Sequence, residues 1–308
     1  MLAAVRRRSQ AAGTKIAIVG SGNLGSALAL SLHSADYRIT EIVSRDATQR
    51  RARQLARRVG ARVTTLHHPQ ITADVIWFCV PDHAIASCAQ AMAGRAAWKG
   101  KIAWHSSGAL DSTELRVLSR RGAWTASVHP FMTFVPGVTP ALGGAGFAVE
   151  GNRQAVSMAR QIVCELGGRA FAISARNKAA YHAWGAFASP LLTALLALGE
   201  KVAAAAGVHR KEARQRMAPI VRQTVENYIL RGAAAGFSGP IIRGDVATVR
   251  KHLAALRHIP ACDEVYRALA RSALRTLPAK NRKALEKVLR WRAKKLGEAA
   301  LKESSPGG

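Results

Sequence analysis

Short apolar runs alternate with amphipathic stretches through the first half of the chain, and long helix-period stretches fill the second half. The runs Lys15–Val19, Thr40–Val43, Arg62–Thr65, Ala73–Val80, Lys101–His105, Thr125–Val128, Gly146–Gly151 and Ala170–Ile173 predict strands. Ala73–Val80 is apolar throughout, which suits a parallel sheet covered on both faces. Helical spacing fills the intervals from Ser26, over Ala47–Val59, His83–Ala93 and Arg153–Leu166, with Asp82 positioned as a helix cap. This alternation predicts an α/β domain with a doubly wound sheet, whose ligands bind at the strand C-termini. From Asn177 the period changes. Helices are expected over Asn177–Ala206, His209–Leu230, Asp245–Leu256, Cys262–Arg275 and Pro278–Leu296. The expected organisation is a sheet domain over 14–175, an all-helical domain over 176–297, and loose tails at 1–13 and 298–308.

The first strand empties into Gly20-Ser21-Gly22-Asn23-Leu24-Gly25. Strand, G-x-G-x-x-G turn and helix in that order form a dinucleotide-binding fingerprint, the mark of a Rossmann-type domain. Gly20 serves the tight turn, Gly22 the approach of a pyrophosphate, and Gly25 the close packing of helix on strand. Asn23 and Leu24 complete the turn at a helix N-terminus with unpaired N–H groups. The rival reading is an ordinary glycine-rich turn. The second strand ends in Ser44-Arg45, where an acidic residue would hold the ribose of NAD. A hydroxyl and a guanidinium suit a 2′-phosphate, so NADP is expected. Arg45 as one more surface arginine, with Asp46 capping the next helix, is the alternative.

Two further strand ends lie on the same sheet edge as the glycine turn and Val80-Pro81-Asp82, which is counted with the cofactor site. They are His105-Ser106-Ser107-Gly108 and His129-Pro130 with the residues to Phe134. Lys178, His182, Gly185 and Ser189 are spaced four, three and four apart and so form one stripe of a helix. A reductase needs a proton donor and a cation for a substrate carboxylate. Lys178 and His182 are assigned those roles, with Ser106 or Ser107 orienting the carbonyl or imine. His129, Ser189 and Arg243 are candidate substrate contacts. The plainer readings are a partly buried histidine, a first-turn surface lysine, serines that satisfy their own loop, and a His-Pro turn. Gly185 in mid-helix costs about 1 kcal/mol relative to alanine and permits close approach of a ring or backbone. Around Arg243, Gly239-Pro240 ends one helix and Asp245 caps the next.

Net charge is +28, from 46 Lys and Arg against 18 Asp and Glu. The cations are spread along the chain, densest at Arg6–Arg8, Arg50–Arg58 and Lys280–Lys302, with no nucleic-acid-binding motif beside them. Solvated faces and attraction of a small anionic substrate explain them better than specific nucleic-acid binding. Cys79, Cys88, Cys164 and Cys262 are far apart, in apolar contexts, without metal-ligand spacing. They are expected as buried free thiols of a cytoplasmic protein. The N-terminus lacks the apolar core of a signal peptide. The apolar stretch Ala183–Gly199 is expected as a buried helix and not as a membrane span.

With these residues in view, the chain resembles a bacterial family of Rossmann-like oxidoreductases defined partly by a C-terminal domain of unknown function. The resemblance is carried by the glycine turn, Cys79-Val80-Pro81-Asp82, His105–Leu110, His129-Pro130 with Thr133-Phe134, Lys178–Ala183, and Gly239–Asp245 with His252-Leu253. Wider relatives are pyrroline-5-carboxylate reductase, ketopantoate reductase and the 6-phosphogluconate dehydrogenase group. The resemblance implies NADP-linked reduction and a homodimer formed through the helical domain. Ser189-Pro190 departs from the family's expected Ser-Asn; the proline should kink the helix and removes an amide from the site. The expected activity is NADPH-dependent reduction of a small carboxylated carbonyl or imine in the cleft between sheet and helical domain. A regulatory module that binds NADP without turnover is the alternative.

Overall fold

The computed structural model describes residues 13–290. The expected tails, Arg6–Arg8 and the chain beyond Arg290 lie outside the described residues. Two compact units divide between Ser189 and Pro190. The break falls there and not at 175/176 because the helix after the last strand is built into the sheet unit through the buried side chains of Lys178 and Tyr181.

The first unit holds eight strands: β1 Lys15–Val19, β2 Arg38–Ser44, β3 Arg62–Thr65, β4 Val75–Phe78, β5 Ile102–His105, β6 Trp124–Phe131, β7 Gly146–Gly151 and β8 Arg169–Ala172. They form one sheet in the order β3-β2-β1-β4-β5-β6-β7-β8. Its helices are α1 Asn23–Ser34, α2 Arg50–Val59, α3 Asp82–Ala93, α4 Arg116–Ser119, α5 Arg153–Glu165 and α6 Lys178–Ala188. Strands β3 to β6 pair in parallel, as the alternating pattern required. β7 runs antiparallel to β6, because only a loop joins them and a parallel pair needs a crossover. β8 is parallel to β7 again, after the crossover through α5.

The period of two along β1 sends Ile16 and Ile18 into one core layer and Ala17 and Val19 into the other. The first layer includes Trp77 and Trp104, packed edge to face with centroids 5.1 Å apart; the second includes Phe78, Met92 and Trp98. Complete burial of each such side chain contributes about 1.5–3 kcal/mol. The core therefore straddles a sheet whose parallel strand ends are left to form the site.

The second unit contains α7 Pro190–Ala205, α8 Arg210–Gly236, α9 Pro240–Arg243, α10 Val246–Leu256, α11 Cys262–Thr276 and α12 Arg282–Leu289. Ile241, Val249, Leu253, Leu274, Leu285 and Leu289 from α9 to α12 form its core. Asp245 caps α10 through Thr248 N at 2.9 Å, as its sequence position predicted.

The helix foreseen over Asn177–Ala206 is broken at Ser189 (φ −130°, ψ −77°), where a kink was expected from the proline that cannot continue the hydrogen-bond ladder. Three further expectations change. Ala183–Gly199 is not a buried helix: Trp184, Phe187, Leu191 and Leu195 are exposed, and Glu200 is the one buried residue of α7. Ala175–Ala205 is long and apolar enough to cross a membrane by length and composition, yet it contains this break. Finally, Asp82 does not cap α3; it is the first helical residue after Pro81 and makes no capping bond. Of the four free cysteines, Cys79, Cys88 and Cys262 are buried while Cys164 is exposed.

Candidate active site

β1 delivers the glycine turn to the sheet's C-terminal edge. Gly20 has φ +101°, and a Cβ at Gly25 would stand 2.0 Å from Gly20 O, so α1 can pack on the turn only with glycine there. Gly22 is different. A Cβ there would meet nothing within 4 Å, so the protein itself does not demand glycine. Gly22 is also the N-cap of α1, with no side-chain capping bond and no acidic residue in the first turn. Open space over unpaired helix N–H groups of positive character fits a pyrophosphate.

A cavity of about 290 Å³ opens from this turn and is lined by Gly20, Gly22, Ser44, Arg45, Arg51, Val80 and Pro81, among others. The two predicted strand ends therefore meet at the glycine turn, while Asn23, Leu24 and Gly25 in α1 and Asp82 in α3 do not line this cavity. Arg45 is exposed; the Ser44 hydroxyl is buried and donates to Asp46 O at 2.5 Å. Asp46 turns to Thr48 N and the Thr48 hydroxyl, ahead of α2, which starts three residues later than expected. Arg51 was not foreseen. It donates to Asn23 Oδ1 while Asn23 Nδ2 donates to Phe134 O, tying α2 and the loop after β6 to the turn.

At the other end of the edge, Lys178 is wholly buried at the start of α6. Its Nζ donates to Ser107 O at 3.0 Å and to Ser127 Oγ at 2.5 Å, and the Ser127 hydroxyl reaches Ser107 O at 3.2 Å. Burial pushes its pKa down, opposed by the charges of Glu150, Asp111 and Asp82. Glu150 is itself held by Ser112 N and the Ser112 hydroxyl, and burial raises its pKa. Lys178 thus fastens α6 to β6 and to the loop after β5.

That loop is bonded throughout. Ser106 Oγ accepts from Trp77 Nε1 at 2.7 Å, and Ser107 Oγ accepts from Ala109 N and Leu110 N. Both hydroxyl oxygens accept from the framework in this conformation. His105, fully buried, accepts from Ser107 N at Nδ1 (3.1 Å), so its Nε2–H donates to Asp111 O (2.8 Å). Desolvation, with a smaller contribution from Lys178, lowers its pKa to about 4.

His129 and His182 face each other across Gly108, their ring centroids 5.9 Å apart. A Cβ at Gly108 would come within 2.6 Å of His182 Cδ2 and 2.9 Å of His129 Nε2. Lys178 and His182 share a helix but no hydrogen bond; Lys178 turns inward, and exposed His182 lies against Gly108. Gly185 admits the Phe131 ring, whose Cε2 would lie 3.1 Å from a Cβ there, the close approach its position suggested. Ser189 ends α6, and Arg243 ends α9 in the second unit. Tyr181 and Ser127, which bond to His129 and Lys178, were not singled out from sequence; both lie in ordinary apolar contexts.

Residues 15–103 match the family model described as NADP oxidoreductase, coenzyme F420-dependent, and residues 145–273 match a domain of unknown function, DUF2520. No curated protein matches the chain in sequence. Among solved structures, one described as "putative NADP oxidoreductase" from Bacteroides fragilis is 23% identical, with 84% of this chain and 97% of that one covered at a TM-score of 0.72. A reductive aminase from Aspergillus terreus, in complex with NADPH and ethyl-5-oxohexanoate, is 17% identical over 85% of this chain and 94% of its own, with a TM-score of 0.64. An imine reductase from Myxococcus stipitatus, in complex with NADP+, is 16% identical over the same shares, with a TM-score of 0.63. The shared fold is Rossmann-type followed by a helical region.

Two outcomes follow from this geometry. Gly25→Ala lowers the melting temperature by several degrees, since relieving the backbone clash costs ~2 kcal/mol or more, whereas Gly22→Ala leaves it unchanged; equal effects on circular-dichroism melts contradict the assignment. His105 is neutral when folded and titrates near 6.5 when unfolded, so the unfolded chain binds more protons between those values. Stability is therefore lost as pH falls from about 6.5 towards 4. Urea unfolding at several pH values should show a shallower loss in His105→Asn; an identical slope rejects the point.

Proposed function

We propose that this chain, an oxidoreductase joining an NADP-linked Rossmann domain to a DUF2520 domain, uses NADPH to reduce a small carboxylated carbonyl or imine. The observation that carries this reading is the glycine-turn cavity with Arg45 and Arg51 on its rim. Paired guanidinium groups suit a 2′-phosphate, which distinguishes NADP from NAD, because they bind phosphate through forked, charge-assisted bonds. Gly20, Gly22 and the N-terminus of α1 would hold the pyrophosphate, and Val80 and Pro81 would border the dinucleotide on its other side. When bound, NADPH supplies the reducing equivalent.

The chain's own groups do the rest. Lys178 fixes the loop that carries Gly108 and places positive potential beneath it, which favours an anionic substrate. His129 and His182 present imidazole edges at the one position of that loop without a side chain. Imines belong in the substrate class because an imine reductase and a reductive aminase share this fold.

We also assign a homodimer to the protein. Ile220, Tyr228, Ile229 and Leu230 on α8 are 61–71% exposed in the single chain, large apolar side chains spread around the helix that a second copy would cover. Light scattering should read twice the chain mass of 32.8 kDa, and a single-chain mass removes this assignment.

Calorimetric titration tests the cofactor. NADPH should bind more tightly than NADH, and Arg45→Ala should erase the preference by losing roughly 1.5–3 kcal/mol of charge-assisted bonding. Gly22→Ala should weaken both dinucleotides. Binding of neither would end the reductase reading; NADPH binding without oxidation across a panel of keto acids and cyclic imines would favour a regulatory module.

A further inference from the structure

The residue beside the stripe predicted to be reactive is the one that organises it. Tyr181 is 5% exposed in an aromatic enclosure formed by Phe131, Phe171 and Trp184. Its hydroxyl lies 2.7 Å from His129 Nδ1, and the two rings meet edge to face.

A hydrogen bond between a phenol and a neutral imidazole can run either way. If His129 Nδ1–H donated, the phenol proton would need another acceptor, and no other hydrogen bond of Tyr181 is found in its enclosure. An unpaired buried hydroxyl costs about 1–3 kcal/mol. If the phenol donates, its proton and the Nδ1 lone pair are both satisfied, and the remaining imidazole proton must sit on Nε2. Nε2 is the atom directed at Gly108. It has a way out as well. Trp104 Nε1 is the sole buried, unpartnered side-chain nitrogen or oxygen among the described residues, so His129 Nε2, which also lacks a partner there, is not cut off from solvent.

We propose that Tyr181 is a positioning residue that fixes His129 as an Nε2–H hydrogen-bond donor, presented at the gap of Gly108 to the carbonyl oxygen or imine nitrogen of the substrate. This deepens, and rests on, the reductase reading above. Burial and the nearby Lys178, His182 and His105 hold the His129 pKa down to about 3, so the imidazole stays neutral at physiological pH. Burial raises the Tyr181 pKa, so the phenol keeps the proton it donates. A neutral donor of this kind polarises C=O or C=N without changing charge in the working range. The carboxylate of the substrate is then left to the positive potential from Lys178, which does not itself reach the surface.

Long-range 1H–15N spectra of the full chain labelled in histidine read the tautomer directly, with His129→Gln identifying the signal. The expected result at pH 7 is a neutral imidazole protonated at Nε2, drifting towards a tautomer mixture in Tyr181→Phe while His105 keeps its own tautomer. An Nδ1–H form, an imidazolium at pH 7, or a tautomer unchanged in Tyr181→Phe overturns the proposal. On the fastest substrate of the panel, His129→Ala should lower kcat roughly 10²–10³-fold, and Tyr181→Phe should lower it less, with the KM for NADPH unchanged in both. Calorimetry with NADPH on the same samples separates the two ideas. Bound NADPH with the wrong tautomer defeats this inference alone; the right tautomer without NADPH binding defeats the reductase reading.

Discussion

A single ammonium group without a carboxylate partner organises the far end of the sheet. Lys178 Nζ is buried against Ser107 O and Ser127 Oγ, and no ion pair of Lys178 is found among the described residues. Removing such a charge from water costs several kcal/mol before relaxation, so it stays only where hydrogen bonds and distant carboxylates offset the loss. Here Glu150, Asp111 and Asp82 act through space and two oxygens act by contact. The consequence is geometric. The carbonyl of Ser107 turns towards Lys178, Ser107 N turns to His105, and the residue that follows is a glycine facing His129 and His182. The ammonium thus fixes the loop carbonyl and the strand hydroxyl beside the histidines, while Tyr181 holds His129 itself.

The opposite end of the edge works by openness instead of burial. Its glycine turn leaves helix N–H groups and empty space, and its arginines stand at the rim. In the proposed reading, attraction of a phosphorylated cofactor there and exclusion of other side chains around Gly108 divide the site into a binding half and a reacting half on one sheet. The large positive charge of the chain suits the first half. It explains nothing about the second, where the one buried cation is enclosed by framework atoms.

Much of this was legible in the residues. The strand pattern foretold all eight strands in order, because alternation and apolar runs are local signals. The antiparallel turn at β7 escaped because direction depends on whether a helix or a loop joins two strands, and the residues between 131 and 146 lack helical period. Lys178 and His182 were found by helical spacing, yet spacing gives a shared face and not the direction of each side chain. Ser106 and Ser107 were legible as loop residues; the Ser107 oxygen accepts from that loop, whereas the Ser106 oxygen accepts from Trp77 in β4. Tyr181 could not be singled out from its neighbours, since a tyrosine at an apolar position reads as core until its hydroxyl finds a histidine fifty-two residues away. The exposed α6 and α7 side chains were misread as buried because apolar composition does not say which residues the rest of the chain covers.

The most direct test of this account is amide hydrogen exchange on the Lys178→Met variant, which keeps the side-chain length and removes the charge. Exchange should accelerate in the loop from Ser106 to Asp111 and at the start of α6, while the β1–β2 half and its glycine turn stay as protected as in the unaltered protein. Unchanged protection in that loop would mean that the ammonium is not what holds the reacting half together, and the central claim would fail.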